Sequence, residues 1–152
     1  MTSLKWMLVA MLCLTPVSGS WAVGSDDDSA PPEYAEAVKA VKAENFEAAL
    51  PLFQKVVAQT PDNANAWNYI GYSYRKLKKF DAAMTAYKKA LALDPNHRGA
   101  NEYMGELYLR MDDLAKAKER LKVLDSACFF GCQEFDELKE AIAEYEKKKA
   151  GG

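Results

Sequence analysis

The residues best suited to chemistry stand near the C-terminus, in Cys128-Phe129-Phe130-Gly131-Cys132. Two thiols four positions apart can close a small disulfide loop, exchange disulfides as a redox pair, or converge as soft thiolates on a copper ion. As a loop, the segment would use Gly131 for backbone freedom and would fix the angle at which the next element packs. A ring of that size contributes about 2 kcal/mol in the chain-entropy model. The redox and metal readings need supporting groups. The spacing is not the two-residue gap of thioredoxin-like pairs. The single histidine, His97, stands well upstream beside Arg98 and Gly99, where a lone turn histidine reads as solvated. No nucleophile, base and orienting group fall at spacings that would assemble a catalytic centre, and neither a glycine-rich phosphate loop nor a paired-carboxylate motif is present. The reading is a chain that is not an enzyme and calls for no cofactor and no metal.

The third cysteine, Cys13, belongs to a different kind of segment. Lys5 is followed by the apolar run Trp6 to Leu14, then Pro16, Gly19 and the small-x-small triplet Ser20-Trp21-Ala22. That is the pattern of a cleavable secretory signal over residues 1–22. The run is about half of the roughly 20 residues that a spanning helix needs, so no stable membrane insertion is expected after cleavage. Leu12 stands before Cys13 where a lipidated cysteine would have a small residue, which argues against a lipid anchor. Cleavage after Ala22 takes the formal charge from −2 to −3 and leaves Cys128 and Cys132 as the remaining pair. An even count in an exported chain favours their pairing. Residues 23–32, with Asp26-Asp27-Asp28 and the Pro31-Pro32 end, offer nothing to bury and read as a flexible segment. The expected location is the periplasm or the exterior. The 20 basic residues are scattered among 22 acidic ones, so nucleic acid is not an expected partner.

The elements that must position these residues announce themselves by repetition. At an offset of 34, Gly71 falls on Gly105, Tyr74 on Tyr108, Pro61 on Pro95, and Ala49 on Ala83 and Ala117. Phe46, Phe80 and Leu114 align in the same way, as do Phe53, Tyr87 and Leu121. The middle copy is clearest. Trp67, Ile70 and Tyr74 share one helical face, while Gly71 and Ala83 are small where two helices must approach closely. Pro95 ends the second helix. The third copy has Asn101 where Trp67 stands and no proline matching Pro95. In the first copy, Glu33, Glu36 and Ala40 occupy the positions of Trp67, Ile70 and Tyr74. A shift of one residue, placing Tyr34, Ala37, Val38 and Val41 inward behind a turn one residue shorter, is the favoured register. Beyond the copies, Phe135, Leu138, Ile142 and Tyr145 recur at helical spacing among Glu and Lys, predicting one more amphipathic helix that ends at Lys147-Lys148-Lys149.

Trp67, Gly71, Tyr74, Ala83, Tyr87, Ala90 and Pro95, in that order, resemble the tetratricopeptide repeat. The signal segment and Cys-containing terminal helix are also similar to small exported proteins of that family from Gram-negative bacteria. The resemblance implies an all-α, right-handed superhelix of three helix-turn-helix repeats at 33–63, 64–97 and 98–127. A Cys-containing turn and capping helix follow at 128–149, then a tail at 150–152. It also implies a concave groove, lined by the first helix of each repeat, that holds a protein or peptide partner. The residues it assigns to that groove are Asn65, Asn68, Tyr72, Arg75, Lys76, Glu102, Tyr103, Glu106 and Arg110. Asparagine and tyrosine can hydrogen-bond or stack on an extended backbone, and mixed charges set register. Relatives that bind a terminal carboxylate carry Lys or Arg at the positions of Gly99 and Tyr103, so that mode is not implied. The expected function is a periplasmic scaffold or adaptor, with thiol-disulfide or metal handling at Cys128 and Cys132 as the alternative. Self-association through exposed ends of the array is a third expectation.

Overall fold

The structure is a computed structural model that describes residues 31–151. The signal segment with its cleavage site, Cys13, nearly all of the 23–32 segment and Gly152 lie outside the described residues. Among the described residues seven α-helices follow one another: α1 Pro32–Lys42, α2 Phe46–Gln59, α3 Ala64–Lys76, α4 Phe80–Leu93, α5 Arg98–Arg110, α6 Leu114–Ala127 and α7 Gln133–Ala150. Helix α1 opens on Pro32, whose missing N–H and fixed φ suit a first helical position. Side chains close other N-termini, with Asn45, Asn63, His97 and Asp113 accepting from the backbone N–H three residues on.

The turns inside the three pairs are built alike. Glu44, Lys78 and Asp112 have φ of 56°, 60° and 63°. The following N–H reaches five residues back in each, from Asn45 to Ala40, Lys79 to Tyr74 and Asp113 to Tyr108. This is a Schellman closure, repeated at the same interval. The turns between pairs are also fastened alike. Trp67 Nε1 donates to the Pro61 carbonyl at 2.9 Å, and Asn101 Nδ2 donates to the Pro95 carbonyl at 3.0 Å. Asn101 thus keeps the hydrogen bond of the tryptophan it replaces, without the ring.

Helices touch consecutive neighbours, and the odd-numbered ones also touch each other in the order α1, α3, α5, α7. Such an array is an all-α helical-repeat superhelix whose odd helices share one surface. Close approach between helices depends on small residues. Ala37, Ala83 and Ala117 are wholly buried. A Cβ on Gly71 would lie 2.5 Å from the Tyr87 ring, and one on Gly105 would lie 2.6 Å from Leu138. Among the described residues Tyr87, Phe53, Leu107, Leu124 and Leu138 are the largest side chains sealed inside.

Helix α1 corrects one expectation. Ala37 is buried and Tyr34, Val38 and Val41 pack on the first core cluster, as the shifted register had it. The turn is not shortened, because α1 ends at Lys42 and α2 begins at Phe46, matching Lys76 and Phe80. Ala37 occupies the place of Gly71, and Ala40 packs inward as well. The small residue, not the aromatic one, keeps the register.

Between α6 and α7 the connection runs from Cys128 to Cys132, one residue longer than the turns before α3 and α5. The structure joins Cys128 to Cys132, with Cα atoms 5.6 Å apart, and Gly131 adopts φ 84° with open space around it. Helix α7 then lies over α5 and α6, with Leu138 and Ile142 buried and Phe135 and Tyr145 beside them. Its last turn is tied down by Lys149 to Asp112 at 2.7 Å and by Lys118 to Glu146 at 2.6 Å. Gly71→Ala is expected to lower stability by about 2 kcal/mol, since the methyl must displace a buried ring. Thermal unfolding checks this, and an unchanged midpoint would mean that Tyr87 is not wedged against α3.

Candidate functional site

The shared surface of the odd helices carries a compact aromatic and ionic cluster. Arg75, on the last turn of α3, pairs through Nη1 with Glu106 Oε2 on α5, and its side chain is only 10% exposed. The guanidinium carbon lies 4.9 Å from the Tyr103 ring centre and 5.4 Å from that of Tyr72. The two rings are 4.9 Å apart. Tyr72 also meets Phe46 of α2 edge-on at 5.8 Å, and Lys76 Nζ stands 5.8 Å and 5.6 Å from these two rings. Cation, rings and carboxylate therefore form a line across the surface, with mutual support from ring quadrupoles and charge.

Beneath the line, burial works against the charge of Arg75, but Tyr87 and Glu106 beside it more than offset that, so the guanidinium stays charged. Burial pushes the phenols of Tyr87 and Tyr103 upward, and both stay neutral. Arg75 Nε and Tyr87 Oη are buried and lack a well-formed hydrogen bond. At the edge, His97 is not the solvated residue that its turn position suggested. Its Nδ1 accepts from Ala100 N–H to cap α5, which leaves Nε2 to donate to Asn65 Oδ1 at 2.9 Å. Burial lowers the pKa of His97, in keeping with this neutral form.

Family models described as tetratricopeptide repeat match residues 34–98 and 74–127, together covering α1 to α6. The chain belongs to the tetratricopeptide-repeat family. Solved structures share the fold. The TPR2B domain of yeast Sti1, solved as a complex with pHsp70, is 18% identical with a TM-score of 0.67, over 74% of this chain and 94% of that one. The Yersinia enterocolitica type III secretion chaperone SycD, in complex with a peptide of the translocator YopD, is 18% identical with a TM-score of 0.66, over 77% and 92%. MamA from Desulfovibrio magneticus RS-1 is 29% identical with a TM-score of 0.58, over 61% of this chain and 53% of that chain. No curated protein matches the chain.

Within the tetratricopeptide array the nine groove residues divide. Asn65, Lys76 and Arg110 are exposed, and Tyr72, Tyr103 and Glu106 are partly so. Asn68 and Glu102, 34 positions apart, are buried at 7% and 2% exposure and do not line an open groove. Both sit in the seam between successive odd helices. A Cβ on Gly99 of α5 would lie 3.1 Å from Asn68 Nδ2, and Glu102 meets Glu137 of α7. The seam arises because odd helices touch each other directly, which the spacing within one repeat does not reveal. The Arg75 to Glu106 pairing was equally invisible within a repeat, although the two charges align once consecutive first helices are laid side by side.

Burial raises the Glu102 pKa to about 9, reinforced by its hydrogen bond to Glu137 and by the charges of Glu137, Glu106 and Glu134. Glu137 moves the other way, held down by Gln133 and then by Glu102. Glu102 is thus the protonated partner and donates. A carboxyl with a raised folded pKa stabilises the fold fully below about 4.5 and loses that contribution as pH climbs toward 9. Glu102→Gln cannot ionise, so it should raise the melting temperature by about 3–5 °C near pH 8 and change it little near pH 4. Melting curves at the two pH values check this, and an equal effect at both would place Glu102 outside the seam.

Proposed function

We propose that this protein is an exported tetratricopeptide scaffold of the periplasm that holds an extended segment of a partner protein along the face of α1, α3 and α5. The observation that carries the reading is the half-exposed pair Tyr72 and Tyr103, held rigid around the Arg75 and Glu106 ion pair. Two aromatic faces fixed by a cation they share present apolar area with little rotamer freedom left to lose on binding. Lys76 and Arg110, both exposed, stand on this face as cations that suit acidic side chains of the bound segment. Asn65, at the rim, supplies amide groups for a peptide backbone.

The likeness to Sti1, solved as a complex with pHsp70, and to SycD, solved with a peptide of YopD, supports a groove use, and at 18% identity it speaks for the fold. The signal-like residues 1–22 support export. In that compartment the Cys128 and Cys132 pair is read as a structural crosslink that sets the angle of α7. The short connection between α6 and α7, closed by this pair and turned at Gly131, suits that role. Gly99 and Tyr103 stand where relatives that bind a terminal carboxylate carry Lys or Arg, which favours an internal segment over a chain end.

Cross-linking in intact cells followed by purification of the tagged chain tests the reading. Tyr72→Ala combined with Lys76→Glu should lower recovery of the cross-linked partner about tenfold or more, in a variant whose circular dichroism shows the helices retained. Equal recovery from both proteins would contradict groove binding, and retention of the chain in the cytoplasm would contradict export.

A further inference from the structure

Two features remain that the groove does not use. The first is the tip of the α6 to α7 connection, where Phe129 and Phe130 are 87% and 96% exposed. Their rings meet edge to face at 5.1 Å, so they form one apolar knob. The crosslink between Cys128 and Cys132 holds the backbone that carries them. The second is an apolar hollow of about 450 Å³ on the opposite side of the array from the odd-helix surface. Its floor is α3, through Trp67, Ile70 and Tyr74, and its walls are α2 and α4, through Val57, Ala58 and Ala86. It opens because α2 and α4 do not approach each other closely along the backbone.

We infer that the Phe129 and Phe130 knob of one copy seats in the hollow between α2 and α4 of a second copy, joining copies head to tail. Size fits: pockets of roughly 300–1,000 Å³ hold small organic ligands, and two phenyl rings are a load of that order. Charge fits as well. From Val123 to Leu138 the chain carries Asp125, Glu134, Asp136 and Glu137 and no Lys or Arg. None of the residues lining the hollow is charged, and Lys89 lies over its Trp67 wall at 4.1 Å from the ring centre. The acidic residues that flank the knob in sequence thus suit a cation at the rim of the hollow. The same residues disfavour an anionic lipid surface, which calls for basic residues beside the apolar ones.

One chain cannot satisfy itself, because neither α6 nor α7 approaches α2 or α4. A knob and a hollow on different parts of one molecule make a heterologous contact, which extends into chains or closes into rings. The crosslinked loop gives up little conformational freedom when it docks. The contact leaves the odd-helix surface open, so it stands independently of the peptide-binding reading.

Sedimentation velocity on the full chain, produced by export so that the cysteines oxidise, tests the inference. The weight-average sedimentation coefficient should rise steadily from micromolar to submillimolar protein. Phe129→Ala with Phe130→Ala removes the knob, and Ala58→Glu charges an exposed wall of the hollow. Each should weaken association about tenfold or more with an unchanged melting temperature, and Thr85→Glu replaces Ala58→Glu if that variant melts early. An equimolar mixture of the two should form a one-to-one dimer that grows no further, since it has one intact knob and one intact hollow. A parent that stays monomeric throughout, association that survives either variant, or a mixture without dimer would each overturn the inference. So would a monomeric parent that floats with phosphatidylcholine vesicles through its phenylalanines.

Discussion

Two helices can close on each other only where one of them presents almost no side chain, and that constraint organises this molecule. Ala37, Gly71 and Gly105 mark the place in successive first helices. At Gly71 the space is filled by the Tyr87 ring, and at Gly105 by Leu138 from α7, so the position serves both the pair and the next neighbour. Once these approaches are made, the odd helices must lie beside one another, and the seams between them bury whatever stands at the position of Asn68 and Glu102. The line from Lys76 through Tyr72, Arg75 and Tyr103 to Glu106 exists only because α3 and α5 are held at that separation.

Much of this was legible in the sequence, because the interval of 34 is carried by residues whose types are dictated by packing. Glycine and alanine at contacts, aromatic residues at core positions and proline in turns all recur in step. Where a residue answers to something outside its own repeat, its place in the interval does not reveal its surroundings. Glu102 looked like a surface carboxylate because Glu134 and Glu137, two of its neighbours in space, are set by another helix, α7. Tyr34 suggested a shortened turn, whereas Ala37 alone was enough to keep α1 in register. His97 looked like a solvated turn residue until its cap on α5 and its bond to Asn65 were visible together.

Asn101 shows the opposite case, in which a departure from the pattern preserves its physics. The tryptophan of the middle repeat fastens the preceding turn through its ring N–H, and the shorter amide reaches the equivalent carbonyl. The terminal turn departs further. Phe129 stands where proline stood in the preceding repeats, the connection gains a residue, and a crosslink takes over the rigidity. That exchange leaves two aromatic rings on the outside at a place where the other repeats expose a proline turn. A scaffold with a rigid cluster on one face and a knob at its end can hold a segment and be joined to its own kind without the two uses competing.

If stability is passed from each helix to its neighbours, local damage should spread only locally. Native-state amide hydrogen exchange of a Leu138→Ala variant measures this directly, because Leu138 is wholly buried between α7 and α5. Protection should fall in α7 first and in α5 and α6 next, while α1 and α2 keep the rates of the parent. A uniform loss of protection in all seven helices would contradict an array held together by neighbour contacts.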